Sequence, residues 1–230
     1  MRRLVDALRI NGYAQTSFDE LFGVPHPQNV ADLITFAGDF ATSAKVKDAE
    51  AMFRRGEQRG ELKEFLAKYR DKRACEGGQV PGDTVGLFGL DQKLLSVVAN
   101  ATRRTMYYIM SDVWYVVPNS NVRERSWSQN WHRDPESECV IKVMVYFRDV
   151  DEDSGPLEYV RGSHLGKYLD LVAPGSYATR ADADSLIADA DRVRFCVPAG
   201  TVLFVNTSGM HRGGYTKSKP RLSGVWTYVG

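Results

Sequence analysis

From residue 107 to its end the chain breaks into short β-branched and aromatic runs, and that pattern confines it to a strand-rich fold. The runs span 107–117, 140–147, 193–197, 201–205 and 222–229, with Pro198-Ala199-Gly200 as a tight turn between two of them. Each half-apolar strand must cover its apolar face against another layer, so many short strands between turn signals favour a sandwich or jelly roll. The first half follows a different period. Residues 5–10 suit a short helix before the Asn11-Gly12 turn, 29–41 and 91–106 carry apolar side chains at helical spacing, and 44–73 is rich in helix formers. Gly and Pro mark 76–82 as a loop, and an Ala/Asp-rich stretch at 169–191 reads as a helix or a mobile loop near the barrel mouth. The expectation is one domain over 1–230: a mainly helical part at 1–106 packed outside a β-rich core at 107–230.

Composition limits the partners. Lys+Arg 30 against Asp+Glu 29 leaves almost no net charge, so nothing points to nucleic acid or to an anionic membrane. The three cysteines, Cys75, Cys139 and Cys196, are scattered and odd in number, and read as reduced thiols rather than a disulfide framework or a zinc site. The first 15 residues lack a cleavage site of small residues, and no later segment has the apolar length to cross a bilayer. A cytoplasmic setting is the default expectation.

The chain has four histidines, and two of them stand beside strand ends. In Trp131-His132-Arg133-Asp134-Pro135 an extended backbone would point His132 and Asp134 to the same side, with Arg133 away from it. His211 follows the 201–205 run in a glycine-rich stretch that lets the backbone turn sharply. Two imidazoles and a carboxylate on one face of iron(II) leave three positions open, unlike a closed, thiolate-rich structural zinc site. Taken alone, a His-x-Asp pair is more often a surface hydrogen bond or a helix-capping Asp than a metal site. Arg221 stands ten positions beyond His211 at the start of the last strand, where its guanidinium fork suits a carboxylate; Ser223 would face the same side. By itself Arg221 would read as a surface arginine at a strand edge.

Together these residues resemble the phytanoyl-CoA dioxygenase family of iron(II)/2-oxoglutarate oxygenases. The resemblance lies in Trp131-His132-Arg133-Asp134-Pro135, in the stretch from Asp153 through Gly155-Pro156-Leu157 to Gly162-Ser163-His164, and in Pro198 to Phe204 leading on to His211 and Arg221. It covers roughly 127–230 well, and the first half weakly, through Gly12-Tyr13. The resemblance implies a double-stranded β-helix of the cupin-like jelly-roll type. It implies that His132, Asp134 and His211 ligate iron(II) and that Arg221 holds the distal carboxylate of 2-oxoglutarate. With O2 as the second co-substrate, 2-oxoglutarate would become succinate and CO2 while a small-molecule substrate is oxidised, hydroxylation being the ordinary outcome. Asp134 disfavours halogenation, which in related enzymes goes with a small residue at that position; desaturation, epimerisation and cyclisation stay open. His164 is expected to be a hydrogen-bonded core histidine, and His26, between two prolines, a loop residue. Gln129 is a candidate contact for 2-oxoglutarate or substrate, whereas Tyr107, Tyr108, Trp114, Tyr115 and Tyr146 are expected to be mostly core. The competing readings are a cupin-like metal enzyme without 2-oxoglutarate, a catalytically silent jelly-roll module and, last, a helical interaction protein built on 29–73. The sequence is silent on oligomeric state and on substrate identity.

Overall fold

A computed structural model of the chain describes residues 1–55, 66–71, 83–118, 125, 127–173, 176 and 182–230. The helical first part holds α1 (Arg2–Asn11), the short α2 (Phe18–Phe22), α3 (Gln28–Ala41), α4 (Ala44–Arg54), α5 (Thr84–Phe88) and α6 (Gln92–Thr102). It also supplies two strands, β1 (Tyr13–Ser17) and β2 (Leu66–Asp71). The second part runs β3 (Tyr107–Val116), β4 (Val140–Tyr146), β5 (Glu158–Val160), the four-residue α7 (Ala183–Leu186), β6 (Arg192–Arg194), β7 (Thr201–Asn206), β8 (His211–Arg212) and β9 (Arg221–Val229). None of the described helices is long and apolar enough to cross a membrane.

A six-stranded antiparallel sheet in the order β1-β7-β4-β9-β3-β2 faces a three-stranded one in the order β6-β5-β8. Alternation along the large sheet separates two cores. On one face Val143, Val145, Phe204, Trp226 and Tyr228 pack with Leu8, Leu33, Phe88 and Leu94 of the helices. The aromatic side chains there also satisfy their polar tips: Trp226 Nε1 donates to Val85 O at 2.6 Å and Tyr228 Oη to Gly89 O at 2.6 Å, which pins α5 to β9. On the other face Tyr146, Leu203 and Val205 meet Tyr159, Phe195 and Val197 from the small-sheet side. This is the expected β-rich jelly roll with flanking helices.

Gly12 ends α1 in the left-handed region (φ 86), and its carbonyl accepts from Asn206, which turns the chain straight from α1 into the sheet. Other expectations need correction. Residues 44–73 are not one helix: α4 stops at Arg54, and 66–71 form β2 at the sheet edge, where hydrogen bonding to β3 overrides the helical propensity of the segment. The helix at 91–106 ends at Thr102, because Arg103 takes a left-handed conformation (φ 56). The 193–197 run is strand only as Arg192–Arg194; beyond it Val197 makes an isolated bridge to Val150. Strands β1, β5 and β8 were not expected. The loop at 76–82 and Cys75 lie outside the described residues, as does part of 169–191.

Candidate metal centre

Main-chain bonds set the geometry of the centre before any side chain acts. His132 and His211 exchange both N–H···O bonds at 3.0 Å, forming a bridge between the segment before β4 and β8, and the Asp134 N–H donates to Thr207 O at 2.9 Å. The 131–134 segment is extended as expected, so His132 and Asp134 share a side, while Arg133 turns away and donates from Nε to Ser208 O at 2.7 Å.

The result is a buried cluster in which one ligand atom each from His132, Asp134 and His211 lies within 4.8 Å of the others. His132 Nε2 is 3.8 Å from Asp134 Oδ1, and His211 Nε2 is 3.7 Å from Asp134 Oδ2. Each imidazole is anchored through its other nitrogen: Nδ1 of His132 donates to Asn130 O (2.9 Å) and Nδ1 of His211 to Gly209 O (3.0 Å). That fixes the tautomer and aims both Nε2 lone pairs at the centre, the usual support for a metal-ligating histidine. The Asp134 Oδ2 atom is buried and accepts no hydrogen bond of ordinary geometry, its close neighbour being the Lys142 ammonium at 2.6 Å. Two neutral nitrogens and one buried carboxylate fit a divalent cation that keeps open positions.

Electrostatics agree with that fit. Burial, then the neighbouring His211, pushes His132 down from 6.5 to about 3, and burial likewise lowers His211. Burial would raise the Asp134 carboxyl, but His211, Lys142 and His132 together hold it well below its ordinary value. At neutral pH the ligand set is therefore ready for a cation without losing a proton. In the folded state His132 stays neutral until pH nears 3, whereas in the unfolded chain it protonates near 6.5. Between those values the unfolded state binds the extra proton, so stability rises with pH. The His132 contribution is complete above pH 6.5 and is lost as pH falls toward 3. Thermal melts of the metal-free protein should show that decline, and His132→Ala should reduce its slope; an identical slope in both would assign the titration to other groups.

Arg221, at the start of β9, is buried, and its guanidinium donates to the carbonyls of Gly155, Ser154 (3.4 Å) and Gly214 (3.3 Å). Its Nη2 lies 4.0 Å from a Cβ built on Gly213, two residues beyond His211. Ser223 is buried on the same side of β9, level with Trp114 and Tyr146 of the adjoining strands. Gln129 is buried, and its carbonyl accepts from Arg125 at 2.9 Å. His164 stays out of the cluster, its Nε2 donating to Arg9 O at 3.0 Å, and His26 pairs with Asp19 at 2.8 Å. Of the aromatic candidates, Tyr146 is inter-sheet core, Tyr115 faces the helices and bonds Glu50, and Tyr107 is exposed.

Two features were missed from sequence. One is Lys142 beside Asp134. The other is a charged network anchored on Trp131 and Arg212, the chain neighbours of the two clustered histidines. Arg212 is buried, stacks on the Trp131 ring (4.1 Å), pairs with Glu158 (2.8 Å) and forks onto both oxygens of Asp184 (3.1 Å each). Trp131 Nε1 donates to the same Asp184 at 3.0 Å, so α7 is tied to residues next to both histidines of the cluster. Burial works to raise the Glu158 carboxyl, and the Arg212 guanidinium outweighs it. A charged residue directly after His211 was the only sequence signal for this network.

Solved structures share this architecture at low sequence identity. The non-heme alpha ketoglutarate dependent epimerase SnoN from nogalamycin biosynthesis is similar at TM-score 0.62 and 17% identity, over 99% of this chain and 82% of SnoN. The carbocyclase SnoK from the same biosynthesis gives 0.61 and 18%, over 99% and 83%. EctD from S. alaskensis with bound Fe gives 0.64 and 19%, over 99% and 76%. No curated protein matches the sequence. The sequence pattern described as Phytanoyl-CoA dioxygenase (PhyH) matches residues 26–222, most of the helical part and the jelly roll together, and the chain belongs to that family.

Proposed function

We propose that the chain acts over 1–230 as an iron(II)- and 2-oxoglutarate-dependent dioxygenase that hydroxylates a small molecule. The observation that carries this reading is the buried His132–Asp134–His211 cluster with both imidazoles anchored through Nδ1. When bound, iron(II) would activate O2, the oxidant that converts 2-oxoglutarate to succinate and CO2 and oxidises the substrate. The chain's own part is placement. His132 and His211 present neutral Nε2 atoms and Asp134 a carboxylate oxygen, while the main-chain bridge between the histidines holds their spacing. Arg221 offers its guanidinium to the distal carboxylate of 2-oxoglutarate beside the Gly213 backbone, with Ser223 and Gln129 as further polar contacts on that side. Helix α7, tied down through Asp184 to Arg212 and Trp131, screens that side of the site from water. A small-molecule substrate is supported by the similar structures of SnoN with nogalamycin RO and of EctD with 5-hydroxyectoine, and the near-balanced charge argues against nucleic acid. The thiols of Cys139 and Cys196 fit a reducing, cytoplasmic setting.

Iron-dependent formation of succinate from 2-oxoglutarate tests the reading, and its absence in the iron-loaded protein would refute it. Arg221→Ala should weaken 2-oxoglutarate binding about tenfold to a hundredfold, the worth of hydrogen bonds to a charged group. Metal affinity should be largely kept, because no metal ligand is touched. Calorimetric titration of each ligand separates the two, and an unchanged 2-oxoglutarate affinity would move the carboxylate partner elsewhere.

A further inference from the structure

The sequence of β4 is apolar except for Lys142, and that lysine points inward. Val143 and Val145 belong to the core shared with the helices, so Lys142, Met144 and Tyr146 occupy the opposite face, toward the small sheet. The Lys142 side chain is only 18% exposed, and its ammonium lies 2.6 Å from Asp134 Oδ2 and 3.7 Å from Glu136 Oε1. Directly across the β4–β9 pairing stands Thr227, fully buried, whose Oγ1 has no hydrogen-bond partner. Lys142 therefore stands between the buried Asp134 carboxylate, with which it is paired, and across the strand pairing a buried Thr227 hydroxyl that has no hydrogen-bond partner. A finished core rarely leaves a buried hydroxyl like that of Thr227 unpaired, since it costs free energy unless a ligand completes it.

Charge arithmetic says what kind of ligand. His132 and His211 are neutral, Asp134 and Glu136 each carry one negative charge, and Lys142 and Arg221 each carry one positive, so the centre is balanced before any ion enters. A divalent cation held by Asp134 shares that carboxylate with Lys142 and leaves the centre with two surplus positive charges in a buried place. A dicarboxylate restores neutrality. Resting on the reading of the site given above, we propose that Lys142 couples the two binding events: it opposes the bare divalent cation and favours the cation together with the dianionic co-substrate. Lys142 is thus a positioning residue that makes occupancy of the metal depend on 2-oxoglutarate, and Thr227 offers a hydroxyl on the same side.

The test is calorimetric titration of the metal-free full chain with manganese(II), and of the manganese-loaded chain with 2-oxoglutarate. Wild type is compared with Lys142→Met, Lys142→Gln and Lys142→Arg. Removing the charge should tighten bare manganese binding and weaken 2-oxoglutarate binding, each by about tenfold or more, since the lost interactions act between close, poorly solvated charges. Lys142→Arg should keep the wild-type pattern, and Lys142→Gln, which retains a polar head, should move as Lys142→Met does. Weaker manganese binding in both uncharged variants would overturn the proposal, because Lys142 would then be a brace for Asp134. Unchanged affinities for both ligands would overturn it as well, with the metal site left standing. Wild-type protein that binds no manganese at all would remove the metal-site reading and this inference with it.

Discussion

His211→Ala should abolish binding of iron(II) and, with it, turnover of 2-oxoglutarate. The substitution deletes one of three donors from a cluster whose atoms sit within 4.8 Å of each other, and nothing else among the described residues joins that cluster. The loss should exceed the roughly 10–100-fold typical of changes in the groups behind a metal ligand. The fold should survive, because the bonds joining residues 132 and 211 at 3.0 Å are main-chain and stay intact with alanine. Removing a buried imidazole leaves a small void without stranding a charge. Asp134→Ala should lose the metal in the same way, while leaving Lys142 without its 2.6 Å partner. Calorimetry with iron(II) under anaerobic conditions reads both, and wild-type affinity in either variant would remove that residue from the ligand set.

The largest effect on stability should come from Glu158→Ala. Glu158 and Arg212 are both buried and meet at 2.8 Å across the β5–β8 pairing. Removing the carboxylate leaves a buried guanidinium with the half-exposed Asp184 as its remaining acidic partner, and Arg125 and Arg194 lose the same acceptor. Breaking a buried pair from one side costs about 3–5 kcal/mol, a large share of the stability of a domain this size. The double replacement of Glu158 and Arg212 by methionine should recover much of that loss, because the desolvation penalty of both charges disappears together. Urea unfolding of the metal-free protein measures it; a loss below about 1 kcal/mol for Glu158→Ala would show that solvent reaches the pair.

The strands that the sequence announces are those whose side chains carry their own signal. The runs that became β4 and β7 are mainly apolar on both faces because both faces are covered, one by helices and one by the small sheet, and those that became β3 and β9 carry apolar and aromatic side chains toward the helices. Strand β2 is different. Leu66–Asp71 reads as part of a charged helix, and only its register against β3 makes it a strand, which is information held by the partner rather than the segment. Strand β8 is two residues long and owes its existence to Glu158 and Tyr159 opposite it, more than fifty positions away. The same reasoning separates the parts of the site. His132 and Asp134 were legible because period-two geometry alone brings them to one side, and His211 because its chemistry matches theirs. Lys142 was not, since a lone lysine in an apolar strand ordinarily marks the solvent face, and only the two-sided burial of β4 reverses that expectation. Arg212 was likewise hidden: an arginine after a histidine ligand carries no sign of a carboxylate folded onto it from 54 positions away.

The most direct test of the account is an anaerobic titration of the metal-free protein, first with iron(II) and then with 2-oxoglutarate, followed by visible absorption. The account predicts the charge-transfer band of a keto acid chelated to iron(II) in the wild type, and no band in His132→Ala. Iron that binds without producing the band, or a band that persists in His132→Ala, would contradict it.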